Sequence, residues 1–165
     1  MGYRNKTYVI FDGDNDIHNY RLMQAWKKNK NIEFDFHDAH DLNVITNLSS
    51  ENNTKRKLRE RFSSAKQVIV LVGSSTKNLY KFVRWEIDVA LNLGIPIVVA
   101  NLNQVREFDK TTCPAILRDR GALFVSFQPT IIKFALNHFC EGYEQKARDG
   151  QNWKYGDEVY RKLGL

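Results

Sequence analysis

Short apolar runs alternate along this chain with stretches in which apolar residues recur every three or four positions. "YVIF" (8–11) reads as a buried strand, and "IEFDF" (32–36) as a strand with one wetter face that suits a place near an edge. "QVIVLVG" (67–73) is the most apolar run, followed by "IPIVVA" (95–100) and "ALFVSF" (122–127). Between these five strands the spacing predicts a helix over 16–28, a basic helix over 54–66 and an amphipathic helix over 81–94. After Pro129, the positions of Ile132, Ala135, Leu136 and Phe139 predict another helix, and "DEVYRKL" predicts a short terminal one.

Strands separated by helix-length patterns imply βαβ units, hence an α/β fold with a mostly parallel five-stranded sheet covered by helices on both faces. The unbroken apolar run 67–72 fits a central strand, because an interior strand of a parallel sheet is buried on both sides. No internal repeat or low-complexity linker divides the chain. The reading is one domain over 1–128 with a C-terminal helical extension over 129–165 packed on it. In flavodoxin-like strand order, the ligand crevice of such a sheet lies beyond the carboxyl ends of strands one and three, where the order reverses. The loops there are "DGDND" and "GSSTKN".

The helix that leaves the second loop contains an oddity. Wound at about 100° per residue, 81–94 gathers Phe82, Val83, Ile87, Val89, Ala90, Leu91 and Leu93 on one arc, and puts Lys81, Arg84, Asp88 and Asn92 opposite. Glu86 falls inside the apolar arc. A buried unpaired carboxylate costs several kcal/mol, so its presence suggests a use. Each feature also has a purely structural reading. Asp14 or Asn15 suits a cap on the first helix, "GSST" suits a cap on the third, and Glu86 could snorkel or stay protonated. Trp85 falls on the polar side of its helix, where an exposed aromatic suits a partner contact or a stacking surface.

Composition sets limits. The chain has 165 residues, 42% hydrophobic and 27% charged, as in an ordinary globular domain. No stretch approaches the roughly 20 apolar residues of a membrane span, and "MGYRNKTYVIF" lacks a signal peptide's layout, so the protein reads as cytoplasmic. Cys113 and Cys140 have neither a disulfide framework nor metal-ligand spacing. "HDAHD" (37–41) resembles a ligand cluster but nothing completes a usual zinc set, so no metal is assigned. The net charge is +6, with much of the excess in "TKRKLRERFSSAK". No nucleic-acid reader motif accompanies that charge, and the favoured reading is a solvated helix face.

A phospho-receiver domain needs an aspartate at the end of strand three, which "VIVLVG" does not supply, and no P-loop or dinucleotide glycine fingerprint is present. What remains is a crevice with carboxylates, hydroxyls and one misplaced Glu. That set suits chemistry at a glycosidic carbon, whose transition state carries positive charge.

From "KTYVIFDGDND" through "QVIVLVGSSTKN" to "RWEIDVALNLGIPIVVANLN", over roughly residues 6–127, the sequence resembles the TIR-like ThsB proteins of the bacterial Thoeris antiphage system. The "W-E-I-x-x-A…G-I-P-I" block is the most specific part. The resemblance implies a flavodoxin-like TIR-type fold and an ADP-ribosyl-cyclase type of NAD+ nucleosidase. Such an enzyme cleaves NAD at the nicotinamide–ribose bond, as substrate rather than cofactor, and forms a cyclic ADP-ribose-type nucleotide that activates a separate effector, ThsA. It also implies a phage-derived trigger and self-association. Glu86 occupies the position of the family's catalytic glutamate. Phe11, Asp12, Gly13, Asp14 and Asn15, with Ser74, Thr76 and Lys77, match the loops that shape its NAD pocket, and Trp85 adjoins them. The region 37–53 departs from the better-known TIR domains. Two alternatives stay open: a nucleoside deoxyribosyltransferase-like enzyme with a helix-borne Glu, and a non-catalytic TIR module acting through assembly.

Overall fold

In a computed structural model that describes residues 6–32, 34, 35, 37, 38, 50–79 and 81–165, the strands form one sheet and all of them run parallel. In chain order the strands are β1 (Lys6–Ile10), β2 (His37–Asp38), β3 (Gln67–Val72), β4 (Ile97–Asn101), β5 (Leu123–Ser126) and β6 (Trp153–Lys154). Across the sheet the order is β2-β1-β3-β4-β5-β6. The helices are α1 (Ile17–Lys28), α2 (Glu51–Phe62), α3 (Phe82–Asn92), α4 (Pro129–His138), α5 (Tyr143–Asp149) and α6 (Asp157–Lys162).

Alternation along each strand divides the core in two. Val9, Ile69, Leu71, Val98, Ala100, Leu123 and Val125 face α1 and α4, against Tyr20, Met23, Ile132 and Leu136. Tyr8, Ile10, Val68, Val70, Val72, Ile97, Val99 and Phe124 face α2 and α3, against Leu58, Phe62, Val83, Ile87 and Ala90. All six residues of β3 are buried, and this strand lies inside the sheet between β1 and β4. That agrees with its unbroken apolar run: an interior parallel strand has no wet face to alternate toward.

Two strand assignments differ from the sequence pattern. The ladder of β2 is Lys6 opposite His37 and Thr7 opposite Asp38, later than the predicted 32–36. Phe34 in the earlier stretch is buried, with its ring edge-on to Trp26 at 5.5 Å. Its apolar character is satisfied by packing on α1 rather than by strand pairing. β2 nonetheless lies at the sheet's edge, the position its wetter pattern suggested. The sixth strand has no sequence signal of its own: two residues pair with β5, Leu123 opposite Trp153 and Phe124 opposite Lys154. The C-terminal elements share the α1/α4-side core, where Tyr143 and Tyr160 are both buried.

Candidate functional site

The order β2-β1-β3 reverses direction at β1/β3, so the loops that follow these strands meet at the carboxyl edge. Their junction is Asp12, which is 3% exposed. Its carboxylate accepts from the Asp14 N–H at 3.0 Å, the Asn15 N–H at 3.3 Å, the Asn15 side-chain amide at 2.7 Å and the Ser75 hydroxyl at 2.9 Å. Burial opposes ionisation of Asp12, but these hydrogen bonds outweigh it and hold the carboxyl below the usual carboxylate range. Ser75 therefore ties the two loops together.

Asp16 occupies the N-cap position of α1, yet its side chain makes no capping bond. Its carboxylate lies over Gly73, where a Cβ would come within 2.7 Å of Oδ2. Burial, then the charge of Asp12, pushes Asp16 up, with His18 partly opposing. Among the described residues Oδ2 has no hydrogen-bond partner. The two expected caps are absent. Asp14 and Asn15 donate to Asp12 rather than capping α1. "GSST" leads into a 3₁₀ turn, Thr76–Asn78, and the N-cap position of α3 is Lys81, without a side-chain bond.

Of the residues singled out in the sequence, Gly13, Asp14, Asn15, Ser74 and Lys77 are exposed on these loops. Thr76 is buried, and its Oγ1 accepts from the Gly73 N–H at 2.9 Å. Phe11 is turned away from the rim, its ring stacked on Tyr20 at 4.7 Å in the α1-side core. Trp85 is half-buried rather than displayed. It packs on the α2/α3-side core, edge-on to Phe82 at 5.5 Å. Within 37–53, residues 39–49 lie outside the described residues, and with them most of "HDAHD". Among the described residues no three His, Cys, Asp or Glu side chains group as a metal site.

Glu86 faces the seam between α2, α3 and β1. Its partners are the Tyr8 hydroxyl, which donates to it, and the nearby positive charge of Arg61, which also donates to Tyr8. Glu86 is half-buried as a residue, with its carboxyl turned into the seam, and the desolvation there pushes the carboxyl up to about 8, against the pull of Tyr8 and Arg61. The same burial and the adjacent carboxylate push the Tyr8 phenol up as well. Neither Tyr8 nor Arg61 belongs to the crevice loops, so Asp12 and Ser75 form one cluster and Glu86 a second. Sequence reading missed both partners. The spacing Thr54, Leu58, Arg61 carried the signal: Thr54 and Leu58 are buried, and positions i, i+4 and i+7 share a helix face. Lys55 also leaves the solvated side, donating to Asp88 Oδ2 at 2.6 Å across the α2–α3 seam.

No helix among the described residues is long and apolar enough to cross a membrane. No curated protein matches the sequence at a significant level. The family described as "Thoeris protein ThsB, TIR-like domain" matches residues 8–107, which include Tyr8, the Asp12 loop, Arg61, the Ser75 loop and Glu86. This α/β chain is thus a member of the Thoeris ThsB TIR-like domain family.

Proposed function

We propose that the protein is a signalling enzyme of antiphage defence that breaks the nicotinamide–ribose bond of NAD, with Glu86 as its catalytic carboxylate. The observation that carries this reading is Glu86 itself: a carboxyl in a desolvated seam, oriented by Tyr8 and flanked by Arg61, in a chain of this family. As the C–N bond breaks, its electron pair leaves with neutral nicotinamide, and the ribose carbon and ring oxygen share the positive charge. A carboxylate in a low-dielectric seam stabilises that charge more strongly than one in water. Capture of the cation by a nucleophile within the same molecule gives a cyclic ADP-ribose-type nucleotide, and capture by water gives ADP-ribose. The exposed rim residues Gly13, Asp14, Asn15, Ser74 and Lys77 hold the remainder of the dinucleotide, on loops shaped from beneath by the buried Asp12 and Thr76. The product activates a ThsA effector.

The test is release of nicotinamide from NAD by the purified chain and by Glu86→Gln, with and without lysate of phage-infected cells. Absence of release under every condition, or equal release by the variant, refutes the reading. Free base from deoxynucleosides with NAD untouched supports the deoxyribosyltransferase alternative instead. One specific observation favours a second reading, a non-catalytic TIR module: both partners of Glu86 belong to the seam and neither to the crevice loops. On that reading Glu86→Gln folds, self-associates and signals as the parent does. Sedimentation of both proteins with the substrate analogue bound tests the proposed assembly.

A further inference from the structure

A second recess opens beside α3. It has a volume of about 240 Å³ and lies between the 3₁₀ turn Thr76–Asn78, the first turns of α3 and the segment Pro114, Ala115 and Ile116. Its walls are chemically divided. Leu79, Val83, Ile87 and Ile116 supply apolar surface, while Lys77 and Arg84 supply two cations. Both cations are exposed, and neither has an ion-pair partner among the described residues.

The charges around this recess run against the helix they adjoin. The first turn of α3 contains no acidic residue, Lys81 at the N-cap position gives no side-chain bond, and Arg84 is the third residue of the helix. The amino end of a helix carries partial positive charge from its free N–H groups, so Lys81 and Arg84 placed there repel it. An anion lying between Lys77 and Arg84 turns this local repulsion into attraction. The apolar walls require that the anion carry a hydrophobic body. A recess of about 240 Å³ is below the roughly 300–1,000 Å³ of drug-sized pockets, which restricts the body to about one ring.

We infer that the recess lined by Lys77, Arg84, Val83, Ile87 and Ile116 binds a phosphate monoester with an apolar or aromatic body. The phosphate sits between the two cations, and the body lies on the apolar wall. This assignment goes beyond the proposed reaction. It shares Thr76 and Lys77 with the proposed rim but is otherwise built from Val83, Arg84 and Ile87 of α3 and from 114–116, whereas Glu86 turns to Tyr8 and Arg61.

Isothermal titration of the full chain with phenyl phosphate, at low ionic strength, tests it. Saturable one-to-one binding is expected, about tenfold tighter than inorganic phosphate and weakened by raised salt. Lys77→Ala with Arg84→Ala should weaken phenyl phosphate by about tenfold or more, the usual scale for lost hydrogen bonds to a charged group. Ile116→Asn should weaken phenyl phosphate and leave inorganic phosphate unchanged. Glu86→Gln should bind as the parent does, so that this site and the proposed reaction fail separately. No saturation at millimolar phenyl phosphate overturns the inference. So does equal binding of phenyl and inorganic phosphate, or full affinity in the folded double variant.

Discussion

Replacing Glu86 by Gln should change how stability depends on pH, with a sign opposite to that of an ordinary paired carboxylate. Burial raises the Glu86 carboxyl from 4.5 to about 8 in the folded protein. Between those values the unfolded chain has released this proton and the folded chain retains it. The unfolded state therefore binds fewer protons, and stability falls as pH rises through the window. At about 1.4 kcal/mol per unit, the contribution lost between pH 4.5 and 8 has an upper bound on the order of 5 kcal/mol, and the partial exposure of Glu86 brings it lower. That is a large share of the 5–15 kcal/mol typical of whole domains. Gln keeps the shape and a hydrogen-bonding oxygen without the titration. Thermal or urea denaturation of both proteins, measured from pH 5 to 8.5, gives the difference directly. Subtraction removes Asp12 and Asp16, which titrate in parent and variant alike. The stability difference should change progressively in favour of Gln as pH rises. A flat difference refutes the desolvated Glu86 on which the argument rests. The proposed reaction needs the ionised form, so on that proposal nicotinamide release should rise toward pH 8 over the same range, and Gln should lower it by about 10² or more.

Further expectations concern the neighbours of Glu86 and of Gly73. Tyr8→Phe removes the donor that favours ionised Glu86, so the rise in activity with pH should move to higher pH; an unchanged profile excludes Tyr8 from positioning the carboxylate. Asp88→Asn breaks the 2.6 Å ion pair with Lys55, and should cost about 1 kcal/mol in urea denaturation, the upper end for partly exposed pairs. Gly73→Ala puts a Cβ 2.7 Å from Asp16 Oδ2 and should destabilise by about 1–3 kcal/mol. Asp16→Ala should relieve most of that loss, and a double-mutant cycle without coupling refutes the contact.

The layers of the fold were legible because a parallel sheet writes its burial into sequence directly. The run 67–72 has no polar interruption after Gln67, and every one of its residues is buried. The meeting of the loops after β1 and β3 was legible for the same topological reason, and the Asp12–Ser75 bond at 2.9 Å joins them. Contacts between helices were less so. Asp88 looks solvated on a helical wheel, and only the approach of α2 brings Lys55 to it. Trp85 also looks exposed on the wheel and packs on the core instead. β6 was invisible because two residues cannot display a period.

Glu86 was noticed because it violates its helix's pattern, but the pattern could not show where the carboxyl points. It is four residues beyond the start of α3 at Phe82, so about 6 Å of helix rise separates it from the rim. Tyr8 is four residues before Asp12 along β1 and the connecting loop, roughly 13 Å in extended chain. A carboxylate at that depth meets Tyr8 on the strand's α2/α3 face before it meets Asp12 at the edge. Arg61, within reach near the end of α2, adds charge from the third side. The depth explains both the raised pKa and the separation from the loop cluster. It also sets a requirement on the proposed reaction: if Glu86 engages a ribose, that ribose must enter the seam between α2 and α3, while its phosphates remain near the rim. A substrate held only by the Asp12 and Ser75 loops would leave Glu86 unused.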